Sequence, residues 1–531
     1  MKKLFINGNI ITMNKEMPKI EAICVKDGVI IKVGSTMDML KVSDKNTKII
    51  DLKDKTVVPG FIDSHLHLLN FGYSMTMIDL SKTKSIVEIQ KVIKKYIKDN
   101  NIPKGTWIRA RGWNQDYIKE KRYPTKEELD QITEEYQLCL TRICGHVAIV
   151  NSRALKIINI RESEFSKGIF CEEDLSLVYK NIPEPSIEDI KNMIVSASNY
   201  ALSRGITSVH TDDFLALPGG DYKKVIQAYT ELEQENKLPI KIYEQCLFST
   251  YGDFENFLKE GYKTGWGSDY FKIGPLKLLQ DGSLGARTAY LNQPYSDENT
   301  TNGVAVYTKE ALTKYFETAN KYSMQIAVHC IGDKAMDMVL EVFEKTTKYN
   351  NNKNRNGIVH CQITNEGILE KFKKQNIIAY IQPIFLHYDL HIVEKRIGTD
   401  KAKVAYNWRT MVDMGIHTPC SSDCPVESLD VLPNIYCGIT RKDLNGYPDK
   451  GWFPEQKLSI EQALYGFTME GAYASFEENI KGSIEVGKVA DFVILSEDIT
   501  TIEVDEVKNI KVLDTYINGE NKRTVNINHV K

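Results

Sequence analysis

The chain has 531 residues, and its 68 basic and 71 acidic side chains leave a net charge of −3. That balance excludes a strongly basic nucleic-acid binder and a polybasic membrane-surface protein, and no 18-residue apolar run is present to span a bilayer. The length accommodates a large core and more than one domain, or an α/β barrel with insertions. Ten cysteines are scattered with no Cys-x-x-Cys pair, so they read as reduced thiols of a cytoplasmic protein. Met1-Lys2-Lys3-Leu4-Phe5-Ile6 starts like a signal peptide, but Asn7-Gly8-Asn9 interrupts it before a useful apolar region forms.

Residues 1–57 read as short strands at 3–6, 10–13, 22–25 and 29–33, punctuated by Asn7-Gly8 and Asp27-Gly28, both hairpin signals. This is too little chain for a sandwich. The end of the chain supplies the complement, with Gly487-Lys488-Val489-Ala490-Asp491 leading into Phe492-Val493-Ile494-Leu495 and an Ile-Asn-Gly turn at Ile517 to Gly519. Residues 1–57 and 480–531 are therefore expected to build one composite β-sandwich.

From 58 to 479 the pattern changes to short apolar strands alternating with helical segments, the signature of βα units. Expected barrel strands are 61–67, 206–210, 240–245, 276–280, 325–330, 357–361, 377–382 and 418–423, eight in all. Segments 309–322 and 335–348 read as helices, and Ser459-Ile460-Glu461-Gln462 opens another with a capping box. Residues 81–202 are too long for one crossover and are expected to form an insertion over the barrel mouth. Trp107, Trp113, Asn114, Gln115, Arg142, His146 and Asn151 lie in it, a mixture suited to a substrate pocket.

Chemistry concentrates where expected strands end, which is where barrel active sites form. His65 and His67 stand at i and i+2 in an apolar run, so a strand would point both imidazoles to one face. The fifth strand ends in His329-Cys330, followed by Gly332-Asp333; the sixth ends in His360-Cys361 and the eighth in Cys420-Ser421-Ser422-Asp423. Four histidines and an aspartate would converge at one mouth.

The run Val58-Pro59-Gly60-Phe61-Ile62-Asp63-Ser64-His65-Leu66-His67, the segment Asp281-Gly282-Ser283-Leu284-Gly285-Ala286-Arg287, His329 with Ile331-Gly332-Asp333, His360, Ser422-Asp423-Cys424-Pro425-Val426 and the closing Lys481-to-Asp491 stretch together resemble the amidohydrolase superfamily. Within it they resemble the N-substituted formamide deformylases and their relatives. The resemblance implies a metal-bearing (β/α)8 TIM-type barrel joined to a composite β-sandwich. By position it implies His65 and His67 on one ion, His329 and His360 on a second, carboxylated Lys277 between them, and Asp423 as ligand and proton shuttle. A buried Lys277 is costly as ammonium, and its neutral amine can add carbon dioxide to become a carbamate. Relatives often carry a smaller apolar residue at the Gln280 position.

A divalent ion would lower the pKa of its water towards ~7 and polarise a carbonyl. Zinc suits the donors best; iron, manganese and cobalt remain open, as does one ion against two. The expected activity is hydrolysis of an amide-type C–N bond in a small molecule, with heterocycle deamination the alternative and a non-catalytic scaffold a third. No motif supplies the protonating glutamate that deaminases need. Trp113, His146, His210, Asp281 and Arg287 are the substrate-binding candidates, His210 standing equally as a structural hydrogen-bonding residue. His387 and His391 are expected in substrate-loop or surface roles, and His417 and His529 at the surface. Cys330, Cys361 and Cys424 are expected to pack. The only partners expected are a small-molecule substrate and a second copy in a homodimer.

Overall fold

A computed structural model describes residues 1–143, 146–159, 165, 167–171, 174–347 and 352–522. His529 and Lys348, named above, lie outside them. Two compact units result, one of Met1–Leu68, Ile194–Ala216 and Asp221–Lys531, the other of Leu69–Met193 and Leu217–Gly220. No helix among the described residues is long and apolar enough to cross a membrane.

In the first unit the two ends of the chain meet in one sheet. Thr56–Pro59 pairs antiparallel with Phe492–Leu495, inside a six-stranded sheet that also holds Asn9–Ile11 and Val512–Ile517. A four-stranded sheet, with Lys2–Ile6 between Ala22–Lys26 and Lys48–Asp51, shares its core, where the Phe5 ring meets Phe492 at 5.0 Å and Tyr516 at 5.2 Å. Asp27-Gly28 makes the expected hairpin, both residues at positive φ between paired Lys26 and Val29. Asn7-Gly8 does something else. It carries the chain from the four-stranded sheet to the six-stranded one, a crossing that a side chain at Gly8 would obstruct within 2.6 Å of Leu52 Cδ1.

The barrel is a seven-stranded parallel sheet in chain order: Phe61–Leu66, Ile206–Thr211, Lys241–Leu247, Phe271–Leu279, Ile326–Cys330, Gly357–His360 and Ile378–Tyr380. Its strands are buried on both faces, as near-continuous apolar runs require. The eighth stave, expected as a regular strand over 418–423, is instead an irregular link that closes the ring. On one side Ile381 N donates to Pro419 O at 3.0 Å and Ser421 N to Ile381 O at 2.9 Å; on the other Ser64 N donates to Cys420 O and Asp423 N to His65 O. Two local causes break the ladder. Pro419 has no N–H, and the Ser422 N–H is taken by the buried Asp63 carboxylate at 3.1 Å. The capping box at Ser459 and Gln462 forms as expected.

The second unit holds a five-stranded sheet, among it Trp107–Trp113, Gln137–Arg142 and Val147–Val150. Here two pocket expectations are corrected. Trp113 is fully buried among Leu138, Leu140 and Ile89, its indole N–H donating to Leu140 O at 3.1 Å. Asn151 is equally buried and caps helix Ser152–Ile158. The unit's own core takes the Trp113 ring, and the Asn151 amide is spent on its helix and on Tyr136 O, to which Nδ2 donates at 3.0 Å. Arg142 donates to Gln115 and Asn114, and His146 is exposed.

Candidate metal centre

Parallel register aligns the ends of the barrel strands. Leu279 lies opposite His329, and Cys330 opposite His360, so ligands from successive strands reach one height. The His65 and His67 ring centroids are 5.2 Å apart, His65 and His360 5.6 Å, and His329 and His360 4.4 Å. Asp423 Oδ1 lies 3.0 Å from His67 Nε2 and 3.3 Å from His65 Nε2, and the ligand atoms of these three residues fall within 4.8 Å of one another. Lys277, 1% exposed, places Nζ 3.1 Å from His65 Nε2 and 3.6 Å from Asp212 Oδ2. The backbone is left-handed at His360, φ 83°, and at Asp423, φ 59°. Such conformations cost about 1–3 kcal/mol for ordinary residues and cluster at functional sites.

Three imidazoles have their tautomers set by neighbours. His65 Nδ1 donates to Gln245 Oε1 at 2.7 Å, and that amide is oriented by its Nε2 donating to Ser64 O. His360 Nδ1 donates to Gln382 Oε1 at 2.9 Å, with Gln382 Nε2 donating to Ser421 Oγ. His329 donates from Nε2 to Gly282 O at 3.1 Å, so its Nδ1 carries the lone pair. Outer-shell partners of this kind fix which nitrogen of a metal-ligating histidine is free. The donor set therefore fits a divalent cation.

Electrostatics agree with that fit. Burial pushes the His360 imidazole well below its ordinary range, and burial with Lys277 pushes His329 down to about 4 and lowers His65, so all three are neutral donors. Burial also lowers Lys277, opposed by Asp212 and Asp423. Although burial alone would raise it, Asp423 is held far below the usual carboxylate range by His65 and His67. His67 goes the other way, since Asp423 and Asp212 overcome its burial and lift it to about 9.

Of the remaining candidates, Asp281 and Arg287 carry partners of their own. Asp281 spends its carboxylate on the backbone N–H groups of Ile331, Gly332 and Tyr290, tying together the loops after strands four and five, and lies 3.4 Å from His329 Nε2. Arg287 makes a two-point ion pair with Asp297 at 3.0 and 2.8 Å. His210 is fully buried with its ring 5.0 Å from Tyr243 and no hydrogen-bond partner at either nitrogen; burial pushes it down to about 3. His387 accepts from Leu444 N and His391 pairs with Asp443, as loop residues do. His417, expected at the surface, is partly covered: Nδ1 meets Glu470 at 2.8 Å and the ring stacks on Tyr473 at 3.7 Å. Gln280 is buried and bonds Tyr307 O, and Cys330, Cys361 and Cys424 are buried thiols that burial keeps protonated. Gln245, Gln382 and Asp212 were missed. Gln245 and Gln382 each close an expected strand, and a polar residue at that place is the one signal that could have found them.

The amidohydrolase family model matches residues 48–521. This chain belongs to the amidohydrolase family. YtcJ, a putative amidohydrolase of Bacillus subtilis (strain 168), is 30% identical over 535 residues, spanning 98% of this chain and 99% of its own. The N-substituted formamide deformylase of Arthrobacter pascens is 25% identical over 542 residues, spanning 97% of each. The crystal structure of an uncharacterized metal-dependent hydrolase from Pyrococcus furiosus aligns with a TM-score of 0.81 at 30% identity, covering 94% of this chain and all of that one. With its barrel and its His-His-Asp group, this amidohydrolase is a metal-dependent hydrolase of carbon–nitrogen bonds other than peptide bonds.

Proposed function

We propose that this amidohydrolase cleaves the C–N bond of a small amide, with N-substituted formamides the nearest substrate class. The whole-length likeness to the Arthrobacter pascens deformylase supports that class. The observation that carries the chemistry is the set of imidazoles whose lone pairs are fixed by Gln245, Gln382 and Gly282 beside anionic Asp423. His65, His67, His329, His360 and Asp423 would hold the ion, zinc suiting these donors best. Bound there, a divalent ion acts as a Lewis acid and acidifies water.

The chain's own residues supply the proton traffic. Asp423, anionic and tethered by its N–H to His65 O at 2.9 Å, takes a proton from the attacking water and hands it to the leaving nitrogen, so the amine departs neutral. Burial favours the free amine of Lys277, which adds carbon dioxide and loses a proton to give a carbamate that joins the donors. The cysteines described are all unpaired, which supports a reducing, cytoplasmic setting.

The test is metal analysis followed by a screen of N-formyl, N-acyl and cyclic amides with one preparation. Formamide turnover should vanish on chelation and return with added zinc, and Lys277→Ala should lose both metal and activity. Full turnover by metal-free protein would sink the reading.

A further inference from the structure

Three loops follow barrel strands six and seven and the irregular eighth stave, and each carries a hydrogen-bond acceptor. Gln362 stands two residues past His360. Asp389 ends the short helix Leu386–Asp389 that follows strand seven, and Glu427 stands four residues past Asp423. Gln362 is 3% exposed, and its Nε2 donates to Asp389 Oδ2 at 3.4 Å. A carboxylate only accepts, so this bond orients the amide, and it leaves Gln362 Oε1 buried without a partner.

Asp389 also accepts from Tyr406 OH at 2.7 Å, and burial pushes its carboxyl up to about 6. Burial raises Glu427 to about 7, with Asp389 and Asp423 adding to the shift, so the three carboxylates share one field. Among the described residues, no lysine or arginine forms a hydrogen bond or ion pair with Asp389, whose partners are Gln362 and Tyr406, or with Glu427. The buried Arg441, beside Tyr406, donates to Tyr406 O at 2.8 Å and to Trp452 O at 2.9 Å, while Arg396 holds Asp297.

A buried acceptor with no donor, beside two carboxylates with no cation, is costly and calls for a group rich in N–H donors and positive charge. We propose that Gln362, Asp389 and Glu427 bind a cationic nitrogen group of the substrate, an ammonium, amidinium or guanidinium, so that the preferred substrates are amides of basic amines. This deepens the amide-hydrolase reading and rests on it for the bond that is cleaved. The cation occupies the side of the mouth formed by strands six to eight, next to Asp423.

The test uses the metal-loaded full chain and a matched pair of probes, butylguanidinium and N-butylurea, which share a shape and differ in charge. By titration calorimetry near neutral pH, butylguanidinium should bind at least about tenfold more tightly, as charge-assisted hydrogen bonds imply. That preference should shrink about tenfold in Glu427→Gln and in Asp389→Asn, and fall with added salt. N-butylurea binding as tightly as butylguanidinium to the unaltered protein overturns the proposal with no variant needed. So does a preference that survives both substitutions.

A turnover arm compares a formamide bearing a terminal amine with an alkyl formamide of equal length. If both are cleaved with equal kcat/KM, the cation site is wrong while hydrolysis stands. If neither is cleaved while butylguanidinium keeps its preference, the formamide reading fails and the cation site stands. A Glu427→Gln variant that lowers kcat for both formamides with butylguanidinium affinity unchanged would place Glu427 at the reacting bond and overturn its role here.

Discussion

His67 holds a proton that a metal ion must displace. Asp423 at 3.0 Å and Asp212 at 3.9 Å lift it to about 9 despite burial, so at neutral pH the metal-free imidazole is charged and cannot coordinate. Metal uptake should therefore release a proton from His67, and apparent affinity should climb as pH rises from neutral towards about 9. Calorimetry in buffers of different ionisation enthalpy measures that release; none at neutral pH would contradict the His67–Asp423 pairing. Gln245 acts one step further out. Gln245→Leu frees the His65 tautomer and should weaken metal binding by roughly 10–100-fold while the fold persists. Competition with a chromophoric chelator reads the loss, and an unchanged affinity would mean that His65 keeps its tautomer by other means.

At the scale of the element, Pro59-Gly60 is the hinge where a strand of the six-stranded sheet becomes the first barrel strand. Gly60 N donates to Asp491 O, Phe61 N to Gly205 O, and a Cβ at Gly60 would come within 2.3 Å of Thr207 Oγ1. Thr207 is buried in the second strand and has little room to move. Gly60→Ala should cost about 1–3 kcal/mol by overpacking, read by urea unfolding. An unchanged midpoint would show that the two strands can separate there. The eighth stave teaches a related lesson. Its residues suggest a strand, yet Pro419 and the Asp63 carboxylate divert its hydrogen bonds, and the left-handed turn at Asp423 brings the carboxylate to the histidines.

At the scale of the whole molecule, the segment at Asp491 is tied to the barrel by buried charge. Lys241, in the third barrel strand, meets Asp491 at 2.6 Å with both side chains less than a tenth exposed, and Asp491 also accepts from Asn518 N. Removing Asp491 leaves the buried Lys241 ammonium only Asn518 Oδ1, at 3.3 Å. Asp491→Ala should destabilise the protein by about 3–5 kcal/mol, measured by denaturant unfolding. A loss below about 1 kcal/mol would mean that Lys241 reaches solvent or another acceptor.

What the amino-acid order determined by itself was local and periodic. The i, i+2 spacing of His65 and His67, the β and βα rhythms and the Asp27-Gly28 turn follow from short-range geometry, so they were legible, and the ordered family motifs extended them to Lys277, His329, His360 and Asp423. The tertiary structure alone decided which polar residues were already satisfied. Trp113, Asp281 and Arg287 look like pocket residues until Leu140, Ile331 and Asp297 appear beside them. Gln245 and Gln362 look ordinary until one meets His65 and the other is left with an unpaired oxygen. Burial and hydrogen-bond partnership belong to pairs of residues far apart in the chain, and only the folded barrel brings those pairs together.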